Sequence, residues 1–320
     1  MPRRGFFELI CVPPERRGRR RVPGGEALTM RAEHVFALGA ELGEGPVWFA
    51  HESALWLVDI KGCRVHRLRP GTGEQRSWPT PAPPGFLAPR AAGGLVVGLK
   101  GAIHRFDPAS GQFTALAPVE PHLPENRLND GCVSPEGALW FGSMHDPEAR
   151  PSGALYRLDA EGRCVRLDAG YIVTNGPAFS PDGRIFYHTD SPARTVYAFD
   201  RPEPQVLTGK RVLIRVEAAA GYPDGTAVDA EGCLWIALWS GWAVRRYSPD
   251  GRLLATVRLP CSQVTKVAFG GADLRTAYVT TARQGLSPAE RAAQPLAGDV
   301  FCFTAPVAGL PQSQATVACG

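Results

Sequence analysis

Asn175-Gly176-Pro177-Ala178 is one of four copies of a short signature, in which an oxygen-bearing side chain precedes Gly and the start of an apolar run. The other copies are Glu44-Gly45-Pro46-Val47, Asp130-Gly131-Cys132-Val133 and Asp224-Gly225-Thr226-Ala227. After roughly 10–12 residues, each copy is followed by an aromatic residue: Trp56, Trp140, Phe186 and Trp235. A signature that returns with this regularity indicates a fold built from repeats.

Six segments of the chain share a wider pattern: an apolar run, a turn, and then a strand of alternating polarity. Equivalent positions recur roughly every 40–49 residues, which is the length of a four-stranded propeller blade. Hairpin turn residues such as Ser180-Pro181-Asp182-Gly183 separate the runs. Helical periodicity is nearly absent, and only residues 288–293 fit a short helical turn. The sequence therefore predicts an all-β fold, a six-bladed β-propeller.

The domain organisation follows from the extent of the repeats. We expect residues 30–320 to form the propeller, and Ala32–Leu38 to close the ring by adding a strand to the last blade, which removes an exposed edge. Residues 1–29 are rich in Arg and have neither strand periodicity nor a partner repeat. We expect them to be a disordered, dispensable extension, with Met30 as an alternative start.

Charge and composition exclude several classes of partner. The net charge is +4, and the seven Arg and three Glu of residues 1–30 account for all of it. The remainder is neutral, which argues against nucleic-acid binding. No apolar run approaches the ~20 residues that span a bilayer. The eight Cys contain no Cys-x-x-Cys pair and stand singly in apolar runs, so we expect buried free thiols in a cytoplasmic protein. We also expect a monomer or weak homo-oligomer.

The signature also predicts a site. Since the innermost strand of each blade lines the channel of a propeller, the four oxygen-bearing side chains should meet at one channel mouth: Glu44, Asp130, Asn175 and Asp224. Ordinary turn chemistry is the simpler explanation of any single copy. Four aligned copies instead favour a metal site, because hard oxygens bind divalent cations. Blades two and six lack the oxygen-bearing residue and have Pro84-Gly85 and Thr265-Lys266 in its place.

These motifs, in this order, resemble the senescence-marker-protein/gluconolactonase family, which includes regucalcin. The resemblance runs from about Glu33 to about Phe303. The stretches that carry it include Leu42-Gly43-Glu44-Gly45-Pro46-Val47-Trp48, Asn126-Arg127-Leu128-Asn129-Asp130-Gly131, Thr174-Asn175-Gly176-Pro177-Ala178-Phe179-Ser180 and Pro223-Asp224-Gly225-Thr226.

The resemblance implies a six-bladed propeller with one divalent cation in the central channel (Ca, Zn, Mg, Mn or Fe(II)). It implies that the metal ligands are Glu44, Asn175 and Asp224, and that Arg127 and Asn129 bind substrate. A further acidic residue of the family contacts substrate hydroxyls, but Pro147 stands at its position here. Asp146 or Glu148 would substitute, and we assign the contact to Glu148.

The function implied is metal-dependent hydrolysis of a sugar (aldono) lactone such as gluconolactone, with Asp224 as catalytic general base. No Gly-x-Ser-x-Gly motif offers a serine-hydrolase alternative. Two alternatives stay open: hydrolysis of another ester or phosphotriester, and calcium binding without significant turnover. The pair Arg127 and Asn129 favours the lactonase, because a pure cation binder needs no substrate clamp.

Overall fold

The computed structural model describes residues 27–317, which form six β-sheets arranged as propeller blades, each built on four antiparallel strands. Two strands, β1 (Leu28–Arg31) and β2 (Glu33–Phe36), precede the first blade. Blade one consists of β3 (Gly43–Phe49), β4 (Ala54–Asp59), β5 (Arg64–Arg69) and β6 (Glu74–Pro79). Blade two consists of β7 (Pro84–Pro89), β8 (Leu95–Leu99), β9 (Ala102–Asp107) and β10 (Gln112–Pro118). Blade three consists of β11 (Asn126–Val133), β12 (Leu139–His145), β13 (Gly153–Leu158) and β14 (Cys164–Tyr171).

The second half of the ring repeats the arrangement. Blade four consists of β15 (Thr174–Phe179), β16 (Ile185–Asp190), β17 (Thr195–Glu203) and β18 (Val206–Arg215). Blade five consists of β19 (Tyr222–Val228), β20 (Leu234–Trp239), β21 (Ala243–Tyr247) and β22 (Leu253–Arg258). Blade six consists of β23 (Val264–Gly270), β24 (Thr276–Thr281) and β25 (Val300–Thr304), together with β2. Each innermost strand contacts the innermost strands of both neighbouring blades, so the six strands enclose one channel.

The expected ring closure is confirmed, because β2 pairs antiparallel with β25 and completes blade six. A second closure was not predicted: β1 pairs in parallel with β22 and adds a fifth strand to blade five. The extension is expected to be disordered over residues 1–29, and residues 1–26 of it lie outside the described residues. Its boundary is wrong by two residues, because Leu28 and Thr29 pair with Ala255 and Thr256.

The core is divided among the interfaces between blades. Six clusters of buried apolar side chains are present within residues 27–317, and each is shared by two adjacent blades. The aromatic residues that follow the four signatures lie in the second strand of their blades and are fully buried: Trp56, Trp140, Phe186 and Trp235. Burying a large aromatic side chain stabilises a protein by roughly 1.5–3 kcal/mol. The repeated aromatic therefore holds each blade against its neighbour.

Residues outside the blades are short connections. Two 3₁₀ turns span Ala50–Glu52 and Ala218–Ala220. The helix α1 (Pro288–Ala293) forms where the short helical turn was predicted, and the Ser287 side chain caps its first turn in a reciprocal bond pair with Glu290. No helix of the described chain is long and apolar enough to cross a bilayer. The six Cys within it are unbridged.

Residues 305–317, here termed the C-terminal strap, cross the end of the channel where the innermost strands finish. The Gly309 amide donates to the Leu274 carbonyl of blade six at 2.8 Å. Further along, the Ala315 amide donates to the Pro89 carbonyl of blade two at 2.7 Å, and the Thr316 amide donates to the Gly137 carbonyl of blade three at 2.9 Å. The strap therefore links opposite sides of the ring at the end away from the predicted site.

Candidate active site

Every innermost strand is irregular where the signature lies. Pairing with the second strand breaks between Glu44 and Val47, between Asn175 and Ala178, and between Pro223 and Thr226, and the other three blades break at the equivalent place. A β-bulge bends the strand and re-aims a side chain. At Gly176 the backbone has φ +54°, a conformation that favours glycine, and a Cβ there would lie 2.5 Å from the Thr226 hydroxyl. The bulges direct the polar side chains into the channel.

Two carboxylates, Glu44 and Asp224, are buried beside each other, with only 5% and 7% of their surface exposed. Burial and the neighbouring Asp130 charge raise the pKa of Glu44 to about 8. Burial and the Glu44 charge raise the pKa of Asp224 well above its usual value. Within residues 27–317, no hydrogen-bond donor reaches the Asp224 carboxylate. This pair of carboxylates therefore lacks a compensating positive charge of its own.

Asp130 differs from these two carboxylates. Its Oδ1 accepts from the Lys266 ammonium and from the Gly131 amide, and its Oδ2 accepts from the Gly176 amide at 3.0 Å. Although burial acts to lower it, the Asp130 and Glu44 charges raise the pKa of Lys266 above its usual value. Asp130 lies close enough to Glu44 and Asp224 for its charge to raise the pKa of both, in keeping with the expected meeting of the four groups, but it is itself held in a buried ion pair with Lys266.

Lys266 is the functional residue that the sequence interpretation missed. It occupies the signature position of blade six, where the sequence analysis predicts no oxygen-bearing group. Its stem packs on Gly225, where a Cβ would lie 2.4 Å from the Lys266 Cγ, and its ammonium crosses the ring to Asp130 of blade three. The signal was present in the alignment of the repeats, since Lys266 takes the place that Asp224 takes in blade five. The ion pair forms a floor across the channel.

The predicted substrate residues Arg127 and Asn129 lie on β11 and are connected to Asn175. The Arg127 Nη1 donates to the Asn129 Oδ1 at 2.5 Å, and the Asn129 Nδ2 donates to the Asn175 Oδ1 at 3.1 Å and the Thr174 carbonyl at 2.7 Å. The Asn175 Nδ2 in turn donates to the Ser191 hydroxyl at 2.9 Å. These bonds orient the Asn175 amide with its oxygen toward Asn129. The structure thus brings the predicted substrate and metal residues into one network.

The substrate contact is predicted for Glu148, with Asp146 as the alternative, and the two carboxylates have different surroundings. Asp146 accepts from the Arg127 Nε at 2.9 Å and from the Lys61 ammonium at 2.8 Å. Although burial acts to raise it, the Lys61 bond and the surrounding cations hold the pKa of Asp146 below its usual value. Glu148 is exposed, and its backbone has φ +57°. Its charge acts on both Arg127 and Asp224. Both carboxylates therefore face the channel mouth.

The set Glu44, Asn175 and Asp224 fits a divalent cation. Two buried carboxylates and an amide provide hard oxygen atoms, and neither carboxylate forms an ion pair with another described residue. Among the described residues, no three His, Cys, Asp or Glu side chains are grouped as metal ligands. The proposed set differs from such a group because its third ligand, Asn175, is an amide. The residues suit a hard cation rather than one that prefers thiolate ligands.

Comparison with known proteins decides the family. The family described as SMP-30/Gluconolactonase/LRE-like region matches residues 42–283. The chain belongs to this family. A 6-deoxy-6-sulfogluconolactonase from Pseudomonas putida is 40% identical over 84% of this chain and 92% of its own length. An L-arabinolactonase from Azospirillum brasilense is 39% identical over 84% of this chain and 90% of its own.

The solved structures agree with the family assignment. A calcium-binding protein, regucalcin, from Agrobacterium tumefaciens superposes with a TM-score of 0.86 at 30% sequence identity, covering 90% of this chain and 98% of its own. The resemblance to the SMP-30/gluconolactonase family and the six-bladed propeller are therefore confirmed. The assigned roles of individual site residues stay predictions.

Proposed function

We propose that this chain is a metal-dependent hydrolase that opens a sugar (aldono) lactone to the aldonic acid. The observation that carries the proposal is the single network in the channel. Glu44 lies beside Asp224, Asn129 donates to Asn175, and Arg127 donates in turn to Asn129. The named lactonases that the chain resembles support the same reaction class.

The proposed roles follow from the chemistry of each side chain. Glu44, Asn175 and Asp224 would hold one divalent cation, which when bound supplies polarisation of the lactone carbonyl and charge stabilisation at its oxygen. Asp224 accepts a proton from the attacking water, as a carboxylate beside the reacting centre can do. The water oxygen bonds to the carbonyl carbon, the ring C–O bond breaks, and the departing oxygen takes the proton from Asp224 to become a hydroxyl. Arg127 and Asn129 hold the sugar oxygens, as does Glu148 at the mouth.

An alternative on this scaffold is a calcium-binding protein without turnover. The Arg127–Asn129 pair argues against it, because a buried guanidinium carries a positive charge and contributes nothing to cation binding.

The test is a lactone panel assayed with chelator-treated protein, reloaded with one cation at a time, after subtraction of the spontaneous opening rate. We expect turnover only with a cation present. Glu44→Gln should raise the cation concentration required, whereas Glu161→Gln on an exposed turn makes the same chemical change and should have no effect. Calcium binding by calorimetry, with no lactone opened faster than in buffer, would overturn the proposal in favour of the alternative.

A further inference from the structure

Two lysines and an arginine surround one carboxylate at the mouth of the channel. The Lys61 ammonium lies 2.8 Å from the Asp146 Oδ1, the Lys100 ammonium lies 3.6 Å from the Asp146 Oδ2, and the Arg127 Nε lies 2.9 Å from the Asp146 Oδ1. We term these four residues the mouth cluster. It contains three positive charges and one negative charge.

The mouth cluster is assembled from equivalent loops. Lys61 lies between β4 and β5, Lys100 between β8 and β9, and Asp146 immediately after β12, so all three occupy the connection from the second to the third strand of their blades. This connection is at the end of the blade where the innermost strand begins, which is also where Glu44 and Asn175 lie. The cluster therefore borders the entrance to the proposed site.

The lysines are not satisfied by Asp146 alone. About a third of each side chain is exposed, at 33% for Lys61 and 31% for Lys100, and each ammonium has three N–H donors. At 3.6 Å, Lys100 is an ion-pair partner of Asp146 rather than a hydrogen-bond donor. Exposed ion pairs contribute only ~0–1 kcal/mol, so stability does not explain two ammonium groups around one carboxylate. Glu148 is a second carboxylate at the mouth, and its charge acts on Arg127.

The cluster is connected to the reacting end of the site. Arg127 joins Asp146 to Asn129, and Asn129 joins Arg127 to Asn175, one of the proposed metal ligands. A lactone whose carbonyl lies beside Asn175 and Asp224 would thus extend its carbon chain along Arg127 toward the lysines. The far end of the chain would meet ammonium groups.

We infer that the substrate is an aldonolactone with an anionic group at the end of its carbon chain distant from the carbonyl, and that Lys61 and Lys100 bind this group. Sulfonate, phosphate and carboxylate share the required chemistry, since each accepts several charge-assisted hydrogen bonds. The inference rests on the proposed lactonase function and extends it to the substrate class.

The experiment compares kcat/KM for neutral glucono-1,5-lactone with kcat/KM for the analogues that carry sulfonate, phosphate or carboxylate at C6. Because hydrogen bonds to charged groups contribute ~1.5–3 kcal/mol, we expect at least one anionic lactone to be preferred by about 10- to 100-fold. The preference should shrink as salt concentration is raised. The three analogues distinguish which anion is the match.

A double variant, Lys61→Met/Lys100→Met, should reduce the ratio of anionic to neutral kcat/KM to about one. Lys210→Met is the matched control. Lys210 lies on β18, the outer strand of blade four, and also pairs with an aspartate, Asp168. The control should leave the ratio unchanged. Opening of the neutral lactone with no preference for any anion, or a double variant that keeps the preference, would overturn this inference alone. Failure to open any lactone would instead overturn the proposed function, and this inference with it.

Discussion

The two ends of the central channel are formed by the same six strands and yet have opposite chemistry. Where the strands begin, the channel contains Glu44, Asp224 and the network around Arg127. Where they end, a cavity of about 890 Å³ is lined largely by apolar residues such as Val133, Phe179 and Val228, and residues 310–314 of the C-terminal strap form part of its wall. The Lys266–Asp130 pair separates the two ends.

This difference shows how a repeated scaffold can carry one asymmetric site. At the bulge of each innermost strand, the blades carry different side chains: a carboxylate, an amide, an amine or an apolar group. A few residues further along each strand, all blades converge on apolar residues, because those positions pack against the neighbouring blade. Chemistry is thus confined to one end and packing to the other.

The largest effect is expected for Asp224→Asn at the polar end. Loss of the general base and of one proposed ligand should lower kcat/KM for a lactone by about 10³-fold or more. The variant also removes one of two buried carboxylates that repel each other, so its metal-free form should melt higher than the metal-free parent. Asp200→Asn, an exposed change on blade four, is the control for both measurements. Retained turnover would remove Asp224 from the mechanism.

The floor between the two ends is tested by Lys266→Met. This change leaves the Asp130 carboxylate buried without its cation, which should cost about 3–5 kcal/mol of the free energy of unfolding measured in urea. The double variant Lys266→Met/Asp130→Asn should recover most of that loss, since no unpaired charge remains. If the single variant were as stable as the parent, the ion pair would not hold the floor.

The apolar end is tested by deleting residues 310–320. The truncated chain loses the Ala315 and Thr316 backbone bonds and the burial of Ala315 and Val317, so we expect a stability loss of about 2–4 kcal/mol. Its kcat/KM should change by less than about threefold, because the strap contacts none of the proposed site residues. A folded truncated protein without activity would show that the two ends are coupled.

The smallest effect is expected outside both ends, at strand β1. A chain starting at residue 32 should differ from one starting at residue 27 by about 1 kcal/mol in unfolding free energy, since Leu28 is 54% exposed and β1 adds one edge strand to blade five. Activity should be equal in both. Loss of folding without β1 would show that this edge pairing closes the ring as β2 does.

The sequence predicted the repeat unit well, because alternation and turn residues are local signals. The strand pairs around Trp56, Trp140 and Trp235, the helix at residues 288–293 and the closing strand near Glu33 all lie where expected. β1 was missed because a parallel pairing with a strand more than 200 residues away leaves no local pattern. The C-terminal strap was missed for the same reason.

For the site, the sequence by itself determined which residue types stand at equivalent positions: Glu44, Asn175 and Asp224, with Arg127 and Asn129 nearby. Only the tertiary structure decided how they divide. It pairs Asp130 with Lys266 from the opposite blade, gives Glu44 and Asp224 no ion-pair partner among the described residues, and places Lys61 and Lys100 from two other blades around Asp146. The reason is physical: charge compensation depends on distance through space, and the closed ring brings together side chains that are far apart along the chain.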